Sequence, residues 1–218
     1  MLAIAGCGPR LEVALAAPQL PAPALVALAG PTPRSDLIVA AIDLLLRSAG
    51  IPVEALEAVV ATRGPGSFTG IRVALATAQG LAAARGIPGH GVSSLLVQSV
   101  RTAQRPCIAV QPARRGFVYA QRFEKDTGGA VPMHPAAVVA IESLAAADAA
   151  VVAPAGLALP AGTPLAAATL TAAEALLELA ARLGTLDAAT LTPTYIESPQ
   201  AVPPGPPTTP WQPSRKAS

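Results

Sequence analysis

The sequence predicts an α/β fold built on a mixed sheet flanked by helices. Three observations carry that expectation. Short apolar runs bounded by Gly and Pro are interspersed with longer segments whose apolar residues recur every three to four positions. The strand-like runs come first as a group and then alternate with helices, an order that suits a mixed sheet. The stretch Gly64-Pro65-Gly66-Ser67-Phe68-Thr69-Gly70 joins an apolar run to an Ala-rich periodic segment. That is the order of strand, tight turn and helix.

The elements follow along the chain. Leu2-Ala3-Ile4-Ala5 reads as a short buried strand, and the alternating Leu11-Glu12-Val13-Ala14-Leu15 as its hairpin partner. Ala24-Leu25-Val26-Ala27-Leu28 makes a third strand, stopped by Gly30-Pro31-Thr32-Pro33. A helix follows with Ser35 or Asp36 as its cap; Leu37, Ile38, Ala41, Leu44, Leu45 and Ser48 share one face, and Gly50 suits its end. A helical turn over 53–57 leads into the strand Ala58-Val59-Val60-Ala61. Beyond the Gly-rich turn, a helix over 71–84 takes Ser67 or Thr69 as cap and stops at Arg85-Gly86-Ile87-Pro88. A strand over 89–92 and a helix from Ser93 or Ser94 to about 104 come next. Paired strands are predicted over 107–110 and 117–123, a further strand over 151–153, and a Thr171-capped helix over 172–183 closed by Gly184. Residues 202–218 carry six prolines and are expected to be disordered, since they cannot bury enough surface to offset their ordering entropy.

Composition narrows the chemistry. Of 218 residues, 52% are hydrophobic, 13% charged and 3% aromatic, so the core must be built from Ala, Val, Leu and Ile. A formal charge of +2 is too small to argue for nucleic-acid binding. Two cysteines, Cys7 and Cys107, make no disulfide framework and have no metal-ligand companions, so both are read as buried free thiols. Ile4-Ala5-Gly6-Cys7 looks like a lipoprotein box, but the six residues before Cys7 hold no basic region. No run reaches the roughly 18 uninterrupted apolar residues of a membrane span, prolines breaking the stretch from Leu15 to Ala29 repeatedly, and the expected location is the cytoplasm.

The Gly-rich turn is the one motif with chemical content. A Gly-rich turn opening a helix is an anion site in principle, because free amides and the helix dipole favour negative charge. It lacks the Gly-Lys-Ser/Thr end of a Walker A loop, the glycine spacing of a dinucleotide fingerprint and the flanking glycines of a nucleophile elbow. Two readings therefore stay open: a purely structural turn, and a weak phosphate or nucleotide site at Gly64, Gly66, Ser67, Thr69 and Gly70. His90 and His134 stand apart and read as loop residues, with no His-x-x-x-His metal pattern. Ser67 has no histidine nearby in sequence, Cys7 has Arg10 as its one basic neighbour, and Asp43, Glu54 and Glu57 read as solvated charges. Arg72, directly after the turn, is placed to meet an anion or a partner's carboxylate.

The string Gly64-Pro65-Gly66-Ser67-Phe68-Thr69-Gly70-Ile71-Arg72 resembles the signature of the bacterial TsaB (YeaZ) family. Gly91-Val92-Ser93-Ser94-Leu95, Arg114-Arg115-Gly116 with Val118-Tyr119-Ala120, and Pro193-Thr194-Tyr195-Ile196 are similar to later stretches of it. The resemblance implies an actin/hexokinase-like ATPase (ribonuclease H-like) fold in two lobes, residues 1–92 and 93–199, before a Pro-rich tail from 200 to 218. It implies a non-catalytic subunit of the machinery that makes threonylcarbamoyladenosine on tRNA, with tRNA met only indirectly. The implied partners are a catalytic paralogue and an associated ATPase, or a second copy of the chain when it is alone. It implies no required cofactor and no metal, with ATP or ADP placed at the complex interface. The association surface implied is Leu37, Ala41, Leu44 and Leu45 on the first helix with Arg72, Val73, Ala76, Thr77 and Gly80 on the signature helix. Where the family carries Asp-Thr-Ser after its first strand this chain reads Ala5-Gly6-Cys7, and Pro112 stands where the second-lobe hairpin has an Asp. Both changes remove oxygen ligands that a magnesium-nucleotide would want. The alternatives are an ATP-dependent phosphotransferase or hydrolase, or a nucleotide-binding module, of the same fold.

Overall fold

The computed structural model describes residues 1–30, 33–126 and 129–196. The predicted Pro-rich tail lies outside the described residues. Among the described residues there are two five-stranded sheets and four α-helices.

The first sheet contains β1 (Leu2–Ala5), β2 (Leu11–Leu15), β3 (Ala24–Leu28), β4 (Val59–Thr62) and β5 (Gly89–Val92), in the order β3-β2-β1-β4-β5. β1, β2 and β3 are antiparallel neighbours, whereas β4 and β5 run parallel to β1. The sheet is mixed, as the order of the elements predicts. The loops explain the switch. Short links join the first three strands, while the parallel pairings need helical crossovers: α1 (Arg34–Ser48) before β4 and α2 (Phe68–Arg85) before β5.

The side chains of β1 alternate between the faces of the sheet. Leu2 and Ile4 enter a core formed with Ile38, Ile42, Leu45 and Leu46 of α1 and with Ile71, Leu75 and Ala78 of α2. Ala3 and Ala5 face the other way, toward Ala173, Leu176 and Ala180 of α4 (Ala172–Arg182) and Val97 of α3 (Ser94–Val100). Large residues on one face and alanines on the other let α4 approach the sheet closely.

The second sheet contains β6 (Cys107–Pro112), β7 (Phe117–Asp126), β8 (Gly129–Pro132), β9 (Ala137–Ala140) and β10 (Ala150–Val152). β6 lies between the parallel β10 and the antiparallel β7. β8 and β9 share the far edge of β7, pairing with its end and its start respectively. Neither edge strand was expected from the sequence, because Gly129–Pro132 and Ala137–Ala140 are too short to show a period. α3 packs on β6 and on α4 and so sits between the two sheets. α4 follows the second sheet in sequence but lies against β1, β2 and β4 of the first.

Several helix ends differ from expectation. α1 begins after Pro33, with no side-chain cap from Ser35 or Asp36; the Ser35 hydroxyl donates to Asp36 instead. α3 ends at Val100, earlier than the predicted 104, and α4 leaves through the extended Leu183 with no left-handed Gly184. Gly50 and Gly86 take the expected left-handed conformation (φ +63° each) at the ends of α1 and α2.

Candidate functional site

The signature turn is held from three sides. Thr62, at the end of β4, accepts the Gly6 amide on its hydroxyl at 2.9 Å. The Ser67 amide donates to the Cys7 carbonyl at 2.9 Å, tying the turn to the loop after β1. Ser94, opening α3, donates its amide to the Gly64 carbonyl at 2.9 Å and its hydroxyl to the Pro65 carbonyl. Ser67 is the cap of α2: its hydroxyl accepts the Gly70 amide at 3.3 Å and its carbonyl accepts the Ile71 amide at 2.8 Å. Thr69, the other candidate cap, is exposed on the first turn of the helix. With the amides of Ser67, Gly70 and Ile71 engaged within the chain, less of the helix start remains to receive an anion.

The glycines serve different ends. Gly64 and Gly66 have φ of +112° and +146°, conformations that a side chain disfavours. Gly70 is helical; it is glycine for space, because a Cβ there would overlap the carbonyl oxygen of Gly6. Close packing, not an unusual backbone conformation, is what requires glycine at Gly70. A Cβ on Gly6 would overlap the Gly70 carbonyl in turn.

Gly66, Ser67 and Phe68 line a cleft of about 420 Å³ between the two sheets, opposite Pro112, Ala113 and Tyr119. Pro112 lines this cleft, whereas Ala5, at the end of β1, lines a separate niche with Gln98 and Gln111. Complete burial pushes the Cys7 thiol up to about 11, partly offset by hydrogen bonding with Thr62 and Ser94, so it is a poor nucleophile. His90 accepts the Asp187 amide on Nδ1 at 3.0 Å. Desolvation lowers its pKa against the opposing charge of Asp187, and it sits on β5 away from the cleft. Among the described residues no three His, Cys, Asp or Glu side chains are grouped to hold a metal ion, and no helix is long and apolar enough to cross a membrane.

The predicted association residues separate into two sets. On α1, Ala41 and Leu45 are buried (5% and 3% exposed) in the chain's own core, so they are not available to a partner. Leu37 is half-buried, and Leu44 is 58% exposed. Val39, which the predicted stripe did not include, is 68% exposed on the other flank of the helix, about 140° round from Leu44. On α2, Arg72, Ala76 and Gly80 are exposed and Val73 and Thr77 half-buried, while Ile71, Ala74, Leu75 and Ala78 form the inner face.

Two contacts surround the exposed Phe68 ring. The Arg72 guanidinium stacks 3.9 Å from the centre of the exposed Phe68 ring, so it is engaged without a carboxylate or an anion. Phe68 in turn lies 6.0 Å from Tyr195, centre to centre. The segment before Tyr195 straps the turn: the Thr194 amide donates to the Arg63 carbonyl at 2.7 Å, and Gln79 of α2 donates to the Leu191 carbonyl at 2.8 Å. The sequence similarity of Pro193-Thr194-Tyr195-Ile196 was its one advance sign.

Comparison with known proteins agrees with this geometry. Residues 34–188 match the family model described as TsaD: tRNA N6-adenosine threonylcarbamoyltransferase. The tRNA threonylcarbamoyladenosine biosynthesis protein TsaB of Escherichia coli is 31% identical over 103 residues, 45% of each chain. TsaB of Haemophilus influenzae is 43% identical over 54 residues, 25% of this chain and 23% of that protein. The matches span less than half the length of these curated relatives. Among solved structures, YeaZ from Pseudomonas aeruginosa superposes with a TM-score of 0.71 at 28% identity, covering 89% of this chain and 98% of that one. The fold is the actin/hexokinase-like ATPase fold expected from the signature.

Proposed function

Since this chain belongs to the TsaB (YeaZ) family, we propose that it is a non-catalytic subunit in the synthesis of threonylcarbamoyladenosine on tRNA. Its role is to bind and stabilise a catalytic paralogue of the same fold. The observation that carries the reading is the outer face of α1 and α2. Val39 and Leu44 are exposed on α1, and Arg72, Ala76 and Gly80 are exposed on the neighbouring α2. Large exposed aliphatics beside small residues suit the close approach of a second helix pair, since small side chains let backbones come near and apolar area drives association. An associated ATPase and a nucleotide at the complex interface belong to the same reading. Ala5 and Pro112, which stand where the resembled family has acidic residues, support a subunit that does no phosphoryl chemistry itself.

The test is sedimentation of the wild-type chain and an Ala76→Arg/Gly80→Arg variant, each alone and with the catalytic paralogue. The wild type is expected to self-associate alone and to bind the paralogue. The variant should remain folded, by circular dichroism, and monomeric, because two guanidinium groups would be desolvated in the interface. A wild type that is monomeric and does not bind the paralogue at micromolar concentration overturns the proposal.

A further inference from the structure

We propose that the niche between Gln98 and Gln111 is a binding site for one water molecule, which completes a polar link between the two sheets. Gln98 on α3 is fully buried and Gln111 on β6 is 4% exposed. The orientation of the Gln98 amide is fixed by its neighbour, because its Oε1 accepts from Arg101 Nη1 at 3.0 Å. Its Nε2, and Gln111 Oε1, find no hydrogen-bond partner among the described residues. Buried amide groups of native proteins are satisfied by protein or by ordered water, so each of these atoms calls for a ligand.

Both residues line the same niche, of about 20 Å³, together with Cys7, Thr62 and Arg101. That volume accommodates one water and excludes larger ligands. The chemistry selects water as well. Gln98 Nε2 needs an acceptor and Gln111 Oε1 needs a donor, and a water supplies both. A halide would satisfy the first alone, and an ammonium ion the second alone.

The surrounding bonds show what the water joins. Arg101 donates from Nε to the Leu170 carbonyl at 2.8 Å and from Nη1 to the Ala153 carbonyl at 3.3 Å. Glu12 of β2 accepts the amides of Ala172 and Ala173 at the start of α4. The first sheet, the start of α4 and the end of α3 are thereby tied at Arg101, whose bond to Ala153, directly after β10, already reaches the second sheet. Gln111 belongs to the second sheet. A water between them adds a second polar link beside the Arg101–Ala153 bond.

The experiment is a crystal structure of the full chain at a resolution that shows solvent, with thermal melting of Gln98→Met, Gln111→Met and the double variant. A solvent peak within hydrogen-bond distance of both amides is expected in the wild type. Each single variant should lower Tm by about 3–8 °C, since it leaves the opposite amide unsatisfied. The double variant should lose clearly less than the sum, because it leaves no orphan. Direct bonding of Gln98 to Gln111, a niche without solvent density, or strictly additive losses overturns the inference, and the wild-type map decides even if a variant fails to fold.

Discussion

Gly6 and Gly70 are packed backbone against backbone: a Cβ on either would overlap the carbonyl oxygen of the other. This pair brings the end of β1 against the first turn of α2, and with it the whole signature turn against the loop at Cys7. Gly70→Ala and Gly6→Ala are expected to destabilise the fold by about 2–4 kcal/mol, since neither neighbour is a flexible side chain that can give way. Gly80 is the control: an added Cβ there meets nothing within 4 Å. In the isolated chain Gly80→Ala should raise stability by up to about 1 kcal/mol through helix propensity. Urea unfolding of the three variants checks this, and equal effects at Gly70 and Gly80 would refute the packing account.

The start of α4 is satisfied twice over. Thr171 and Glu174 form a reciprocal capping box, and the Glu12 carboxylate of β2 accepts the Ala172 and Ala173 amides at 2.7 and 3.2 Å. Thr171→Ala should cost about 1 kcal/mol. Glu12→Leu should cost more, because it strips an acceptor from two part-buried amides. Chemical denaturation of each variant gives the order, and the reverse order would show that the cross-sheet carboxylate matters less than the local cap.

Cys7 and Cys107 are both buried, and burial raises both thiols. With Cys7 near 11, about one molecule in a thousand carries the thiolate at pH 8. Neither cysteine should be alkylated by iodoacetamide in the native chain, and both should be in denaturant. Mass spectrometry of the quenched samples reads this directly; fast native labelling of Cys7 would contradict the packing at the signature turn.

His90 sets a pH dependence of known sign. Desolvation lowers its pKa, and Nδ1 must stay unprotonated to accept the Asp187 amide. The unfolded chain therefore binds the proton more readily than the folded one. The stabilisation is present above the ordinary value of 6.5 and is lost as pH falls through the lower folded value. The effect should be small, because His90 is only partly buried. Melting curves of wild type and His90→Gln between pH 5 and 7 should converge at the acid end, and parallel curves would exclude the role.

The sequence by itself determined the first sheet, its order of strands and helices, and the turn that opens α2. Those features are local: apolar runs of strand length, three- and four-residue periodicity, and a glycine string that little but a tight strand-to-helix turn requires. It also determined the family, through the nine residues from Gly64 to Arg72. The tertiary structure alone decided the rest. Which side of α1 faces outward depended on the sheet beneath it, which took Ala41 and Leu45 inward and left Val39 and Leu44 outside. Periodicity gives the width of an apolar stripe, but its centre is fixed only by what the helix packs on. The edge strands β8 and β9 exist because β7 offers them a free ladder, not because of their own composition. Gly6 against Gly70, and Gln98 and Gln111 on one niche, bring together residues far apart in the chain. No local pattern encodes such contacts, because the partner is supplied by the fold.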